Sequence, residues 1–296
     1  MKNYICIDIG GTAIKYGVID DSGNIVDKSD MPTQAHLGGP GISQKVVDIT
    51  EKMLNKHNDI CGVCISTAGM VDIEKGEIFY AAPLIPNYIG TNFKKLIKDK
   101  FDMPCEVEND VNCAGLAEAI SGAGKGSSSV LCLTIGTGIG GCMVIDGQVY
   151  HGSSSSACEV GYMHMMGSDF QTLGASRILS KKVAEKKNGD ATEWNGIKVF
   201  DSAREGDEIC IKAIEEMCDV LGYGIANICY VLNPQTIVLG GGIMVEEEYL
   251  RPIMEKALRK YLLPSICDKT RLEFAKHRNN AGMLGAFYHF KNRMAD

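Results

Sequence analysis

No apolar run in the chain approaches the roughly 20 residues that would span a bilayer, so no transmembrane helix is expected. Basic charge is also in deficit: 30 Lys and Arg stand against 37 Asp and Glu, leaving a net charge of −7. A chain of that sign has no general electrostatic grip on DNA or on an anionic membrane. The opening residues, Met1-Lys2-Asn3-Tyr4-Ile5-Cys6-Ile7, leave no room for a signal peptide before the first motif, and a cytoplasmic protein is expected. A disulfide framework is missing too. The 12 cysteines are scattered, and Cys6, Cys64, Cys132, Cys142 and Cys229 sit inside apolar stretches, as small buried hydrophobes do in a reducing compartment. Cys61-Gly62-Val63-Cys64 has C-x-x-C spacing but reads as the start of a buried strand rather than a strand-to-helix redox turn.

What is present is enough to bury a sizeable core: 296 residues, 45% of them hydrophobic, suited to one large or two modest domains. The first segment reads strand, glycine turn, strand: Tyr4 to Asp8, Gly10-Gly11-Thr12, then Ile14 to Ile19, with a third strand at Ile25-Val26-Asp27. Ile42, Val46, Ile49 and Met53 have helical spacing over 41–57 and precede a strand at 60–66. A helix near 91–101, a strand at 105–108 and a helix over 109–120, N-capped by Asn109 or Asp110, follow. The glycine-serine stretch 121–129 is the best domain boundary. Beyond it the opening pattern returns: a shift of ~126 positions aligns Cys6 with Cys132, Ile9 with Ile135, Gly10 with Gly136 and Val18-Ile19-Asp20 with Val144-Ile145-Asp146. The C-terminal half is mostly helical, with one long amphipathic stretch over 207–231 and a buried strand, Thr236 to Leu239, running into Gly240-Gly241-Gly242. Strands alternating with long helices predict an α/β fold made of two related halves, able to hold one nucleoside triphosphate from both sides.

The chemistry begins at Asp8-Ile9-Gly10-Gly11-Thr12. Glycines let backbone amides close around phosphate oxygens, the Thr12 hydroxyl adds a donor, and Asp8 could hold a metal through water. An ordinary hairpin turn would read the same way, and the motif is neither a P-loop nor a dinucleotide fingerprint. The second hairpin, Leu133 to Gly141, weighs against the ordinary turn, because glycine inside strands is entropically costly and two such loops at matching places call for a ligand. Gly240-Gly241-Gly242 ends a strand, where α/β folds bind ligands, and offers a flat surface to a nucleoside. In Glu108-Asn109-Asp110, Asp110 at the mouth of a helix can accept a hydroxyl proton during phosphoryl transfer, or can serve merely as an N-cap.

Taken in order, these motifs resemble the ROK family (repressor, open reading frame, kinase) of the actin–hexokinase ATPase superfamily, over essentially the whole chain. Asp8–Thr12 matches phosphate loop one, Ile65-Ser66-Thr67-Ala68-Gly69 the sugar turn, Glu108-Asn109-Asp110 the base motif, Leu133–Gly141 phosphate loop two, and Glu159-Val160-Gly161-Tyr162 the sugar-contacting stretch. Val199-Phe200, Ala203 to Asp207 and Gly240–Gly242 complete the set. The resemblance implies a two-domain actin-like, ribonuclease H-like ATPase fold with a cleft between the domains. Residues 1–120 would form the first domain, completed by a C-terminal helix over 282–296, and residues 121–281 the second. It implies an ATP-dependent sugar kinase with Asp110 as general base for the sugar's 6-hydroxyl, and with Gly69, Asn87, Asn109, Glu159, Tyr162 and Gln171 as sugar contacts. ATP would be held by Asp8, Gly10, Gly11, Thr12, Lys15, Gly136, Thr137, Gly138, Gly241 and Gly242, with Mg2+ on Asp8 through water. A homodimer is the family's usual state.

The sequence departs from the family at its structural zinc site. Tyr162 stands where a histidine is usual, Met165 to Thr172 holds no cysteine, and no zinc is expected. Gln171 replaces the glutamate that usually follows the cluster. Both changes resemble the zinc-less β-glucoside kinases, which phosphorylate the 6-hydroxyl of the non-reducing glucose of disaccharides such as cellobiose; glucose and N-acetylmannosamine are the alternatives. Two rivals come from other classes. A sugar-sensing repressor of this family would carry an N-terminal helix-turn-helix where Asp8 already lies in the phosphate loop. An actin-like assembly protein would not need Asn109, Asp110 and Glu159 around a sugar.

Overall fold

The computed structural model describes residues 2–190 and 192–295. The chain forms two compact units, one of Met1–Ser121, Gly147–Ala157 and Asn279–Asp296, the other of Gly122–Asp146 and Cys158–Arg278. The segment 147–157 therefore belongs with the first unit, where the sequence reading puts all of 121–281 in the second.

The first unit opens with β1 (Asn3–Ile9), β2 (Ala13–Asp20) and β3 (Ile25–Pro32), followed by α1 (Gly38–Lys56) and β4 (Ile60–Thr67). A hairpin of β5 (Met70–Asp72) and β6 (Glu77–Tyr80) leads to α2 (Phe93–Phe101), β7 (Cys105–Asn109) and α3 (Asp110–Ser121). The sheet order is β3-β2-β1-β4-β7. β1 is antiparallel to β2 and parallel to β4, which is parallel to β7. β1 and β4 are buried on both faces, as their near-continuous Ile, Val and Cys content requires. β3 alternates half-buried and exposed residues through to Pro32, the pattern of an edge strand, and so runs five residues beyond the Ile25-Val26-Asp27 triplet that marks it in the sequence. α1 buries Ile42, Val46, Ile49 and Met53, one stripe at helical spacing, against this sheet.

The second unit carries β8 (Ser129–Ile135) and β9 (Ile139–Ile145), then α4 (Phe170–Gly174), α5 (Ser176–Lys186), α6 (Gly196–Arg204) and α7 (Glu208–Leu232). A strand at Thr236–Gly240, α8 (Glu247–Tyr261), α9 (Pro264–Cys267) and a strand at Arg271–Phe274 complete it. β9 pairs antiparallel with β8, the 236–240 strand parallel with β8, and the 271–274 strand parallel with that. These directions repeat those of the first sheet, which gives the ~126-residue correspondence a structural counterpart. α7 starts where the Asp207 carboxylate accepts from the N–H groups of Ile209 and Cys210, and stops where Asn233 turns left-handed at φ 45°. The chain then returns to the first unit as α10 (Ala281–Ala295).

α10 packs closely on α3: a Cβ on Gly285 would lie 1.8 Å from the Cys113 carbonyl oxygen, so only glycine fits. All 12 cysteines are free thiols, and the buried Cys64 lies within β4 as the strand reading of the C-x-x-C pair requires. Among the described residues, no helix is long and apolar enough to cross a membrane.

Candidate active site

In the first unit the candidates gather at the carboxyl ends of parallel strands, the usual ligand edge of an α/β sheet. Asp8 near the end of β1 faces Ser66 on β4, and the Ser66 hydroxyl donates to Asp8 Oδ1 at 2.8 Å. Lys15 is the cross-strand partner of Asp8 on β2, and its ammonium reaches Asn279 Oδ1 at 3.3 Å. Burial raises the Asp8 carboxyl above the ordinary range, against the opposing pull of Ser66 and Lys15. A Cβ on Gly282 of α10 would sit 2.3 Å from the Asp8 carboxyl, so the helix packs directly against the carboxyl and only glycine allows it.

The loop after Asp8 is tied from outside. Gly10 donates its N–H to Ala13 at 3.1 Å, the Thr33 hydroxyl donates to the Gly10 carbonyl at 2.6 Å, and the Thr33 N–H donates to the Thr12 carbonyl at 2.9 Å. Gly11 and Thr12 remain exposed at its tip.

Asn109 ends β7 and caps α3: its Oδ1 accepts from the N–H groups of Val111 and Asn112 at 2.9 and 3.1 Å. Its amide donates to the Gly69 carbonyl at 2.9 Å and to Asp110 Oδ1 at 3.0 Å. Gly69 has φ 98°, and a Cβ there would meet the Tyr80 carbonyl at 2.8 Å, so the turn demands glycine. Asp110 Oδ1 also accepts from Val111 N–H at 3.0 Å. Asp110 keeps part of its surface open, yet burial of the carboxyl, followed by the nearby charge of Asp8, pushes it up to about 7. Asp110 is thus half-buried, poised near neutrality and held on one oxygen. Asn87 lies in the loop before α2, exposed and left-handed at φ 51°, its carbonyl packed against Gly39 of α1.

In the second unit, Gly136 donates to the Gly138 carbonyl at 2.9 Å, and Ser176 at the start of α5 donates to the Gly136 carbonyl through its N–H at 2.9 Å and its hydroxyl at 2.7 Å. Gly241 follows the 236–240 strand with φ 110°, and its missing Cβ would meet the Ile135 carbonyl at 2.1 Å. Gly136, Thr137, Gly138, Gly241 and Gln171 line one cavity of about 300 Å3. Gly242 begins a single 3-10 turn just beyond. Gln171 Oε1 lies only 2.7 Å from where a Gly138 Cβ would stand, beside the second glycine hairpin. Glu159 precedes the one-turn helix Val160–Tyr162, and both Glu159 and Tyr162 are exposed.

Thr33 and Ser176 hold the site without any signal in the sequence, and Ser66, named there only within the sugar turn, holds Asp8. Thr33 and Ser66 are wholly buried hydroxyls. A serine inside the apolar run Val63-Cys64-Ile65-Ser66 is the signal that could have marked one of them. Among the described residues, no group of three or more His, Cys, Asp or Glu is arranged to hold a metal ion.

An α/β chain with two glycine hairpins of like topology and a carboxyl pair at one sheet edge is the architecture of the actin-like ATPases, and the comparisons place it within them. The chain belongs to the ROK family, whose pattern it matches over residues 4–293. It is 31% identical to the beta-glucoside kinase of Listeria monocytogenes, over 96% of this chain and 95% of that one. It is 29% identical to the glucokinase of Halalkalibacterium halodurans, over 95% and 93%. The ROK family glucokinase of Streptomyces griseus, solved in complex with glucose and AMPPNP, superposes with a TM-score of 0.82 at 26% identity, over 96% of this chain and 97% of that one. The fold is accordingly the actin-like ATPase fold of ROK sugar kinases.

Proposed function

We propose that this chain is an ATP-dependent sugar kinase that phosphorylates the 6-hydroxyl of a glucose unit, with the non-reducing glucose of a β-glucoside such as cellobiose as its substrate. The observation that carries the reading is the Asn109–Asp110 pair. Asp110 is held through Oδ1 by Val111 and Asn109, which leaves Oδ2 for an acceptor hydroxyl, and its carboxyl is raised to about 7, where a general base works best at neutral pH. Such a base contributes about 10²–10⁴-fold.

The Gly69 turn and Asn109 would fix the sugar's other hydroxyls together with Glu159, Tyr162 and Asn87. Gly10, Gly11, Thr12 and Lys15 would hold ATP phosphates from one loop and Gly136, Thr137 and Gly138 from the other, with Gly241 and Gly242 at the nucleoside. Asp8, a half-buried carboxyl near the end of β1 beside the first glycine loop, suits a hydrated Mg2+. Bound there with the nucleotide, Mg2+ would neutralise phosphate charge.

The β-glucoside preference rests on Tyr162 and Gln171 standing where the resemblance places histidine and glutamate, and on the relatives of that name. ADP release measured with cellobiose, glucose and N-acetylmannosamine tests it. Cellobiose should give the highest kcat/KM, and a far lower value than glucose would refute the substrate while leaving the kinase reading intact.

A further inference from the structure

Behind β7 lies a buried charged network that the reading above does not use. Glu106 and Glu108 point to one face of the strand and are 6% and 1% exposed, and His289 of α10, 4% exposed, lies between them. His289 Nδ1 is 3.5 Å from Glu108 Oε2 and its Nε2 is 3.7 Å from Glu106 Oε2. Glu106 is matched by Lys94 of α2 at 2.8 Å and by Arg293 of α10 at 3.6 Å. Glu108 has a different partner: His151, from the 147–157 segment, places Nε2 2.5 Å from its Oε2.

A buried carboxylate is costly unless paired, and removing one partner of such a pair leaves an uncompensated charge. Burial alone would raise Glu108. The His151 hydrogen bond, the charges of His289 and His151, and the Asn112 amide outweigh it and hold the carboxyl below its ordinary value. His289 is itself lowered, by burial first, which favours its neutral form. His151, at 2.5 Å, is the group within hydrogen-bond distance of Glu108 Oε2.

The other oxygen of Glu108 faces the site. Oε1 accepts from the N–H of Asn109 at 2.7 Å and from the Asn112 side-chain amide at 3.0 Å. These two residues bracket Asp110: one precedes it, and the other closes the first turn of α3. Asn109 in turn carries the bonds to Asp110 Oδ1 and to the Gly69 carbonyl. We propose that Glu108 and His151 form a positioning couple for the base: His151 fixes one carboxylate oxygen, and the other fixes the Asn109–Asp110 turn against the acceptor hydroxyl. This rests on Asp110 being the base. A displacement of ~1 Å at such a position can cost ~10²-fold in rate.

The test compares His151→Phe, His151→Gln and Glu108→Gln with Asp110→Asn by steady-state kinetics on cellobiose and glucose, alongside thermal melts. His151→Phe keeps a ring but loses the donor, and should lower kcat about 10–100-fold with the KM for MgATP within about twofold of the parent. His151→Gln restores an amide donor and should recover most of that loss. Glu108→Gln, nearly isosteric, should lower kcat about tenfold or more, and it carries the test if His151→Phe does not fold. Adding His151→Phe to Asp110→Asn should cost little further, because both act on one proton transfer. Parent turnover in His151→Phe or Glu108→Gln, or equal losses in the Phe and Gln variants at position 151, would overturn the couple while an inactive Asp110→Asn leaves the base standing. Transfer that survived Asp110→Asn would instead overturn the base itself, and the couple with it.

Discussion

Replacing Asp110 by Asn should separate function from stability in opposite directions. The Asp110 carboxyl moves from 3.8 to about 7 on folding, through burial and then the charge of Asp8. The folded chain therefore keeps a proton that the unfolded chain releases between pH 4 and 7. Stability contributed by this group falls as pH rises through that window and is lowest above it. Roughly three units at about 1.4 kcal/mol each set an upper bound near 4 kcal/mol, and the partial exposure of Asp110 reduces it to about 1–4 kcal/mol. Asparagine keeps the Oδ1 acceptor used by Val111 and carries no charge to bury. At pH 8 the variant should melt higher than the parent, by about 2–4 °C per kcal/mol, and the difference should vanish near pH 4.

Transfer, by contrast, should fall by about 10²–10⁴-fold, with MgATP binding kept. In the parent, kcat/KM should follow the ionised fraction of Asp110, so pH 6 should give about one tenth of the plateau reached above pH 8. Coupled ADP assays and scanning calorimetry across pH 4–9 read both effects. A lower melting temperature for Asp110→Asn at pH 8, or transfer that persisted in it, would refute the assignment of a strained, functional carboxyl at this position.

The hydroxyls that tie the two loops should matter for nucleotide more than for sugar. Ser176→Ala and Thr33→Val each remove one hydrogen bond to a loop carbonyl, at about 0.5–1.5 kcal/mol, and should raise the KM for MgATP several-fold while the sugar KM holds. Equal rises in both KM values would point to general loosening. Gly241→Ala forces a Cβ to within 2.1 Å of the Ile135 carbonyl at φ 110°, and should cost about 1–3 kcal/mol of stability and most nucleotide binding; an unchanged melting temperature would refute this. Thiol titration of the native protein should label the half-buried Cys61, Cys158 and Cys267, while buried thiols such as Cys218 and Cys229, pushed up to about 12 by burial, react only on unfolding. Full labelling of the native state would contradict this core.

The order of strands and helices was legible because it is written locally. Ile42, Val46, Ile49 and Met53 announce α1, and the all-apolar Tyr4–Ile7 announces a central strand. β3 outruns its sequence signal because beyond Asp27 it is an edge strand whose alternation is polar on one side and only half-buried on the other. Asp110 could not be told from a helix cap in the sequence, since both roles ask for aspartate at a helix mouth. The folded chain gives the main cap to Asn109, whose Oδ1 takes two N–H groups of α3. The Gln171 side chain reaches the Gly138 hairpin from α4, a tertiary fact with no local trace. Glu108 and His151 are separated by 43 positions, and no periodicity links them.

The repeat itself acquires a physical meaning from the same contacts. Gly10 and Gly136, aligned by the ~126-residue shift, each have a carbonyl that accepts a hydroxyl from outside the hairpin, Thr33 in one unit and Ser176 in the other. Glycine is needed so that backbone can close around an anion, yet its freedom makes an untied loop expensive to order when the ligand arrives. A donor fixed on a neighbouring element removes that freedom during folding, before any ligand binds. The two donors differ in kind, a threonine just past an edge strand and a serine opening a helix, so no common sequence motif records them. What the halves share is therefore a physical requirement met twice. Each glycine loop must be flexible in sequence and rigid in the fold, and the tying residue comes from whichever element lies beside it.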